Sequence, residues 1–363
     1  PRSTLDRSSA ASDVYKRQFY ADGWYAQYYN GENAVLAYSE DGTEFTRRSR
    51  LNHGPVAYGP AAYFVDGHLY VVYPDTDRMK IFLRRGTVDQ GSVSIEAPRE
   101  VVNMERSFMA KIPSLTFDAK GIPHVIFSSL EGWGETGGSR WRAWMVHATS
   151  KDMSTWSEPL AFADFLSPTM EAGASASGAF VGDDLVLAFE ALNEFYAITG
   201  SSIDPPSLKD TFKGTHDYAL VPDGDQVHLV YATEAEGGYG AMAYRTWSRS
   251  TGWSQRTLLG HVSPHHTALA LDNLGNVWVF YGERRSVRVR VLRSGAAQFE
   301  AARCPITTRE PDLASHAWLN AAAGRENASE VGLLWIELSD EKWHVRFRTV
   351  TLDDVMALPA CAA

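Results

Sequence analysis

The chain has 363 residues, of which 44% are hydrophobic, 12% aromatic and 21% charged, and its formal net charge is −10. That balance argues against a face of clustered Lys and Arg, so neither nucleic acid nor an acidic membrane surface is expected as a partner. No apolar run approaches bilayer length and nothing at the start has the order of a signal peptide, so no membrane span is expected either.

Asp13-Val14-Tyr15-Lys16-Arg17-Gln18 reads as the translation of a sequencing adaptor, behind a Ser-rich stretch with no hydrophobic period. Residues 1–18 are therefore expected to be a non-native segment and 19–363 the folded domain. On that reading the native chain upstream of Phe19 is missing, with any export signal and the first strand of a blade.

From Phe19 onward a short β-rich run recurs at a spacing of roughly 50 residues, the size of one four-stranded propeller blade. In chain order the runs are 34–38 (AVLAY), 68–73 (HLYVVY), 123–127 (PHVIF), 185–189 (LVLAF), 227–231 (VHLVY), 277–281 (VWVFY) and 331–336 (VGLLWI). Most follow a turn rich in Asp and Gly, such as Asp66-Gly67 or Asp223-Gly224-Asp225, which is a hairpin signal. A small-residue strand precedes each turn, as 175–181 does, and suits the crowded centre of a ring. A third strand of alternating polarity follows, as in 79–84, 143–148, 241–247, 287–292 and 344–349. The fold expected is all-β, a single β-propeller of about seven four-stranded blades. Cys304 and Cys361 make no C-x-x-C pair, so a thiolate zinc site is not indicated, while one bridge closing the last blades stays open.

Two segments, Ser39-Glu40-Asp41-Gly42-Thr43-Glu44-Phe45 and Ser150-Lys151-Asp152-Met153-Ser154-Thr155-Trp156, resemble Asp-box turns, each one residue shorter than the usual motif. Their work is structural: the Asp bonds turn amides and the aromatic residue packs beneath. With 215–231 and 265–281, they make the chain resemble the BNR-repeat, sialidase-like β-propellers, which include ulvan-lyase-like polysaccharide lyases. The resemblance implies a carbohydrate-active enzyme. It departs from true sialidases at Ala110-Lys111-Ile112-Pro113, where lysine replaces the arginine of the sialidase phrase. The 150–156 phrase also resembles five-bladed arabinanase and xylosidase glycosidases, which use spaced carboxylates. Trp247-Ser248 and Gly252-Trp253-Ser254 resemble repeats of sugar-binding propellers.

In a propeller the loops that lead into inner strands and those that leave second strands emerge on one face. Counting back a common offset from Tyr73, Tyr231 and Tyr281 reaches Tyr58, His216 and His266, and His316 occupies a similar place. Lys111, Glu171, Asp217 and His265 stand near these starts. Glu190, Glu283, Arg284 and Arg285 leave second strands, and Trp133 lies in a neighbouring loop. Imidazole trades protons near neutrality, and guanidinium neutralises a carboxylate. Tyr58, His216, His266 and Arg284 are thus the expected catalytic set. His316, Arg285, Lys111, Glu171, Asp217, His265, Glu190, Glu283 and Trp133 are expected to bind substrate.

The function expected is cleavage of a uronate-containing polysaccharide or oligosaccharide by β-elimination, in a secreted or periplasmic protein. A glycoside hydrolase with paired carboxylates and a non-catalytic sugar-binding propeller are the alternatives. No cofactor is expected, with a structural metal ion held by convergent histidines left open.

Overall fold

The computed structural model describes residues 3–5, 17–29, 33–53, 60–75, 80–104, 108–131, 139–167, 176–191, 194–201, 210–212, 214–233, 240–262, 267–283, 286–304, 306, 319–339 and 342–361. Strand β1 (Ser3–Leu5) is followed by the first sheet, β2 (Arg17–Tyr20), β3 (Trp24–Tyr29), β4 (Ala34–Ser39) and β5 (Arg47–Arg50). The second holds β6 (Ala61–Val65), β7 (His68–Pro74), β8 (Lys80–Asp89) and β10 (Arg99–Asn103), with β9 (Ser92–Ile95) folded onto β8. The third holds β11 (Phe108–Phe117), β12 (Pro123–Glu131), β13 (Ser139–His147) and β14 (Leu160–Ser167). In the fourth stand β15 (Ala176–Val181), β16 (Asp184–Ala191), β17 (Glu194–Ser201) and β18 (Asp210–Phe212). The fifth runs β19 (Gly214–Asp223), β20 (Gln226–Thr233) and β21 (Gly240–Ser248), on which β22 (Gly252–Trp253) and β23 (Thr257–Val262) both pair. The sixth has β24 (Thr267–Leu271), β25 (Val277–Glu283) and β26 (Ser286–Leu292); the last has β27 (Leu319–Ala323), β28 (Glu330–Ser339) and β29 (Lys342–Thr351), with β1 as its outer strand.

Every sheet is antiparallel, and the inner strands touch in the order β2, β6, β11, β15, β19, β24, β27 and back to β2. This is a single all-β propeller. The expected count of about seven four-stranded blades is corrected: among the described residues six sheets reach four strands or more, and the β24–β26 sheet has three. The fourth place there is taken by irregular chain. Glu300, Arg303 and Ile306 donate backbone N–H groups to Val291, Val289 and Val287 of β26, but only Arg303 forms a bridge.

The repeated runs are second strands, and the aromatic near the end of six of them (Tyr73, Phe127, Phe189, Tyr231, Tyr281, Trp335) is fully buried between sheets. Burying each such ring contributes about 2 kcal/mol or more, so the repeat is also the core. The run 34–38 differs, because it forms the third strand, β4, while Trp24–Tyr29 is the second and Arg17–Tyr20 the inner one. The first sheet thus has an inner strand, with Gln18 buried and its amide donating to Asn320 O at 3.1 Å and to Gly332 O.

The seam between last and first sheets is closed by Trp24, Phe45 and Phe347, with Gly332 under the Trp24 ring. After the last sheet comes α1 (Leu352–Ala357), started by a Thr351–Asp354 capping box. Cys304 and Cys361 are disulfide-paired, with Cα atoms 5.3 Å apart. Beside the bridge, Ala360 pairs with Arg303 and Cys361 N donates to Ala302 O. No described helix is long and apolar enough to cross a membrane.

Candidate functional site

The hairpin turns between inner and second strands lie on one face. There Asn273 donates to Gly324 O and Arg325 O, and Arg249 pairs with Asp184 at 2.6 Å. The Asp-box-like turns share that role. Asp41 accepts from Thr43 N at 2.8 Å and Asp152 from Ser154 N at 3.2 Å, with Phe45 and Trp156 packed beneath. Hydrogen bonds from Thr43 hold the Asp41 carboxyl below the usual range, and bonds from Ser150 and Ser154 do so for Asp152.

At this face three sheets carry one device that sequence reasoning missed. Asp118 and Asp272 each accept two turn amides through Oδ1. Their Oδ2 atoms face the second residue of the following run. Trp278 Nε1 donates to Asp272 at 2.8 Å, and His124 Nε2 lies 3.6 Å from Asp118. In the fifth sheet His228 Nε2 lies 3.2 Å from Asp223, with Nδ1 2.6 Å from the Tyr244 hydroxyl. The signal was legible in the runs PHVIF, VHLVY and VWVFY, which put His, His and Trp at the same place. These imidazoles are buried parts of the packing. Trp247, in the phrase that resembles sugar-binding repeats, is 7% exposed and pairs with Trp253 across β21 and β22, so it also belongs to the packing.

The opposite end of the sheets is where inner strands begin and second strands finish. Lys111 is on β11, opposite Ser128; Glu190 is near the end of β16, opposite Phe195; Glu283 ends β25, opposite Ser286. His216 and Asp217 are on β19 in an irregular stretch. Tyr58, Trp133, Glu171, His265, His266, Arg284, Arg285 and His316 lie outside the described residues. The five placed positions therefore fall at one end of four sheets, from the third to the sixth.

Two inner strands are irregular at this end. In β11, Ile112 and Pro113 stand against the single residue Phe127. In β19, Thr215, His216 and Asp217 stand against Ala232. Proline has no N–H to give the ladder, which suits a bulge, and bulges bend a strand and re-aim its residues. The first residue after each irregularity is anchored to the fourth sheet, Ser114 Oγ donating to Ala176 O at 2.8 Å and Tyr218 OH to Ala188 O at 3.1 Å. On the third sheet Asp164 accepts from Arg140 at 2.6 Å and from Arg142 at 3.3 Å; Arg142 lies over the Trp144 ring, and Trp144 Nε1 donates to Ser129 Oγ at 2.6 Å. The bond from Arg140 is the main cause holding the Asp164 carboxyl below its ordinary range. Among the described residues no three His, Cys, Asp or Glu side chains converge to hold a metal ion.

No protein-family model and no curated protein matches the sequence. Solved structures do match in fold. A Penicillium chrysogenum α-L-arabinanase complexed with arabinobiose is 12% identical, covers 98% of this chain and 98% of its own, and gives a TM-score of 0.56. A polysaccharide lyase is 10% identical, with 96% and 91% covered and a TM-score of 0.54. A Hadza microbial sialidase is 15% identical, with 92% and 74% covered and a TM-score of 0.51. The fold is the β-propeller of these carbohydrate-active enzymes.

Proposed function

We propose that the chain acts on an acidic, uronate-containing polysaccharide or oligosaccharide and cleaves it by β-elimination. The observation that carries this reading is the set of residue types at the end of neighbouring sheets where inner strands begin: Lys111, Glu190, His216 and Asp217. The propeller shared with a polysaccharide lyase supports it. In the reaction a base takes the C5 proton, the C4–O bond breaks, a C4=C5 double bond forms, and an acid protonates the departing oxygen. Carboxylate neutralisation by a cation makes C5 acidic enough. His216, His266 and Tyr58 are the proposed proton carriers. Arg284 and Lys111 are the proposed cations, and His316, Arg285, Glu171, His265, Glu283 and Trp133 bind the polymer.

Incubation with uronate polymers tests this. The expected product carries the ultraviolet absorbance of a double bond conjugated with a carboxylate, and His216→Ala lowers turnover by about 10²-fold or more at unchanged melting temperature. New reducing ends without that absorbance would favour hydrolysis. That second reading draws on the arabinanase match and on Glu171 with Asp217 or Glu190 as the two carboxylates sharing acid and base roles.

A further inference from the structure

The outer strand of the first sheet, β5, reads Arg47-Arg48-Ser49-Arg50, and all three arginines are exposed. Among the other described outer strands, β10 carries one arginine and β1, β14, β18, β22 and β23 carry none, in a chain of net charge −10. Alternation along the strand divides the three. Arg48 and Arg50 stand opposite Ala37 and Val35, whose cluster joins the last sheet, and Arg47 stands opposite Tyr38, whose cluster joins the second. Guanidinium groups therefore flank the rim strand on both sides, and the Cα atoms of Arg48 and Arg50 are about 7 Å apart along it.

The extra strand of the second sheet, β9, widens this surface. It touches β5, packs Val93 and Ile95 against the cluster of Leu36 and Tyr38, and leaves Ser92 and Ser94 exposed. Arginines tie the two strands together at both ends. Arg47 Nη1 donates to Gln90 O, while Arg84 donates through Nη1 to Leu51 O at 2.7 Å and through Nη2 to Ile95 O at 3.5 Å. Neither 46–53 nor 90–95 contains an acidic residue. The carboxylates next along these segments are Glu44, Asp89 and Glu96, and Glu96 pairs with Arg99 at 2.8 Å. Together β5 and β9 make a strip of N–H and O–H donors braced by two sheets, three strands and roughly 14 Å out from β2.

We infer that this rim strip is a second binding surface for an acidic polysaccharide, holding a long polymer outside the cleavage site through carboxylate contacts with Arg47, Arg48 and Arg50. The inference rests on the uronate reading for the polymer and adds a surface for which polymer length matters. A planar guanidinium meets a carboxylate with two parallel N–H bonds. Clustered arginines also draw a polyanion toward a chain whose overall charge repels it. Charge on an outer strand has another use, which is to block edge-to-edge pairing between sheets, and lysine serves that use as well. The two roles part in their dependence on polymer.

The test is binding of the full chain to immobilised uronate polymer in the cold at two salt concentrations, alongside turnover of a short oligouronate. Arg48→Gln combined with Arg50→Gln should weaken polymer binding about tenfold and flatten its salt dependence, at unchanged melting temperature and unchanged turnover of the short oligomer. Arg48→Lys combined with Arg50→Lys should restore the salt dependence and part of the affinity. Wild-type polymer binding by the glutamine variant, with cleavage intact, would overturn the strip and leave the reaction standing. Self-association of that variant at wild-type polymer affinity would also overturn it, assigning the arginines to edge protection alone. Weakened polymer binding in a chain that yields no cleavage product from uronates would remove the reaction and keep the strip.

Discussion

His124 is 3% exposed, stacked against His147 at 5.4 Å and tilted against Phe180 at 4.5 Å. Burial, reinforced by the neighbouring His147, pushes its imidazole down to about 4 from 6.5. The unfolded chain therefore takes up a proton there between those two values and the folded chain does not. Stability from a neutral His124 is complete above pH 6.5, declines as pH falls, and is lost on passing about 4. Relative to His124→Phe, the wild type should lose ~3 kcal/mol between neutral pH and about pH 4, measured by urea unfolding. A gap constant with pH would refute the buried neutral imidazole. Burial also lowers His228, which adds in the same direction. Asp272 is a second residue-scale test, since it is 3% exposed and accepts from Trp278, Asn276, Leu274 and Ser329. Asp272→Ala should cost about 3 kcal/mol by leaving several of these donors unpaired.

At the scale of elements, the turns and second strands were legible because hydrophobic runs and Asp-Gly pairs are local signals. Asp66 and Gly67 show why: both take positive φ, 49° and 74°, the twist a two-residue hairpin needs. The assignment of 34–38 failed because AVLAY is as apolar as a second strand, and only its pairing to both β3 and β5 gives it third place. The irregular stretches in β11 and β19 carry no composition signal beyond Pro113. They are set by long-range register, which periodicity cannot supply. We also propose that Asp13–Gln18 derives from an adaptor, although Gln18 has a place in the seam. Deleting residues 1–16 removes only a three-residue outer strand from the described fold and should lower the melting temperature by a few degrees. Gln18→Ala should cost about 1–3 kcal/mol by removing the amide that donates to the Asn320 and Gly332 carbonyls. Gly332→Ala should destabilise comparably, since a Cβ there would overlap Trp24 and approach Phe347 Cζ at 2.8 Å. An unchanged melting temperature for Gly332→Ala would show that the seam is loose.

Across the whole molecule, β1 pairs with β29 from the other end of the chain, and the disulfide holds residues 302–304, after the sixth sheet, against 359–361, after the last. The bridge spans 57 residues and so encloses the last sheet. Its reduction should lower unfolding stability by ~4 kcal/mol, read by denaturation with and without a thiol reductant. A bridge of this kind persists in oxidising compartments, which supports the proposal that the chain works outside the cytosol. The same whole-molecule geometry limits how much of the site the sequence could reveal. Counting back from Tyr231 located His216 and Asp217 on an inner strand, but no count could foresee the register shifts within β11 and β19. Whether the protein performs elimination is decided most directly by the mass of the products from a defined oligouronate. The account requires each new non-reducing fragment to be lighter by one water than the corresponding hydrolytic fragment. Fragments that have all gained water would contradict it.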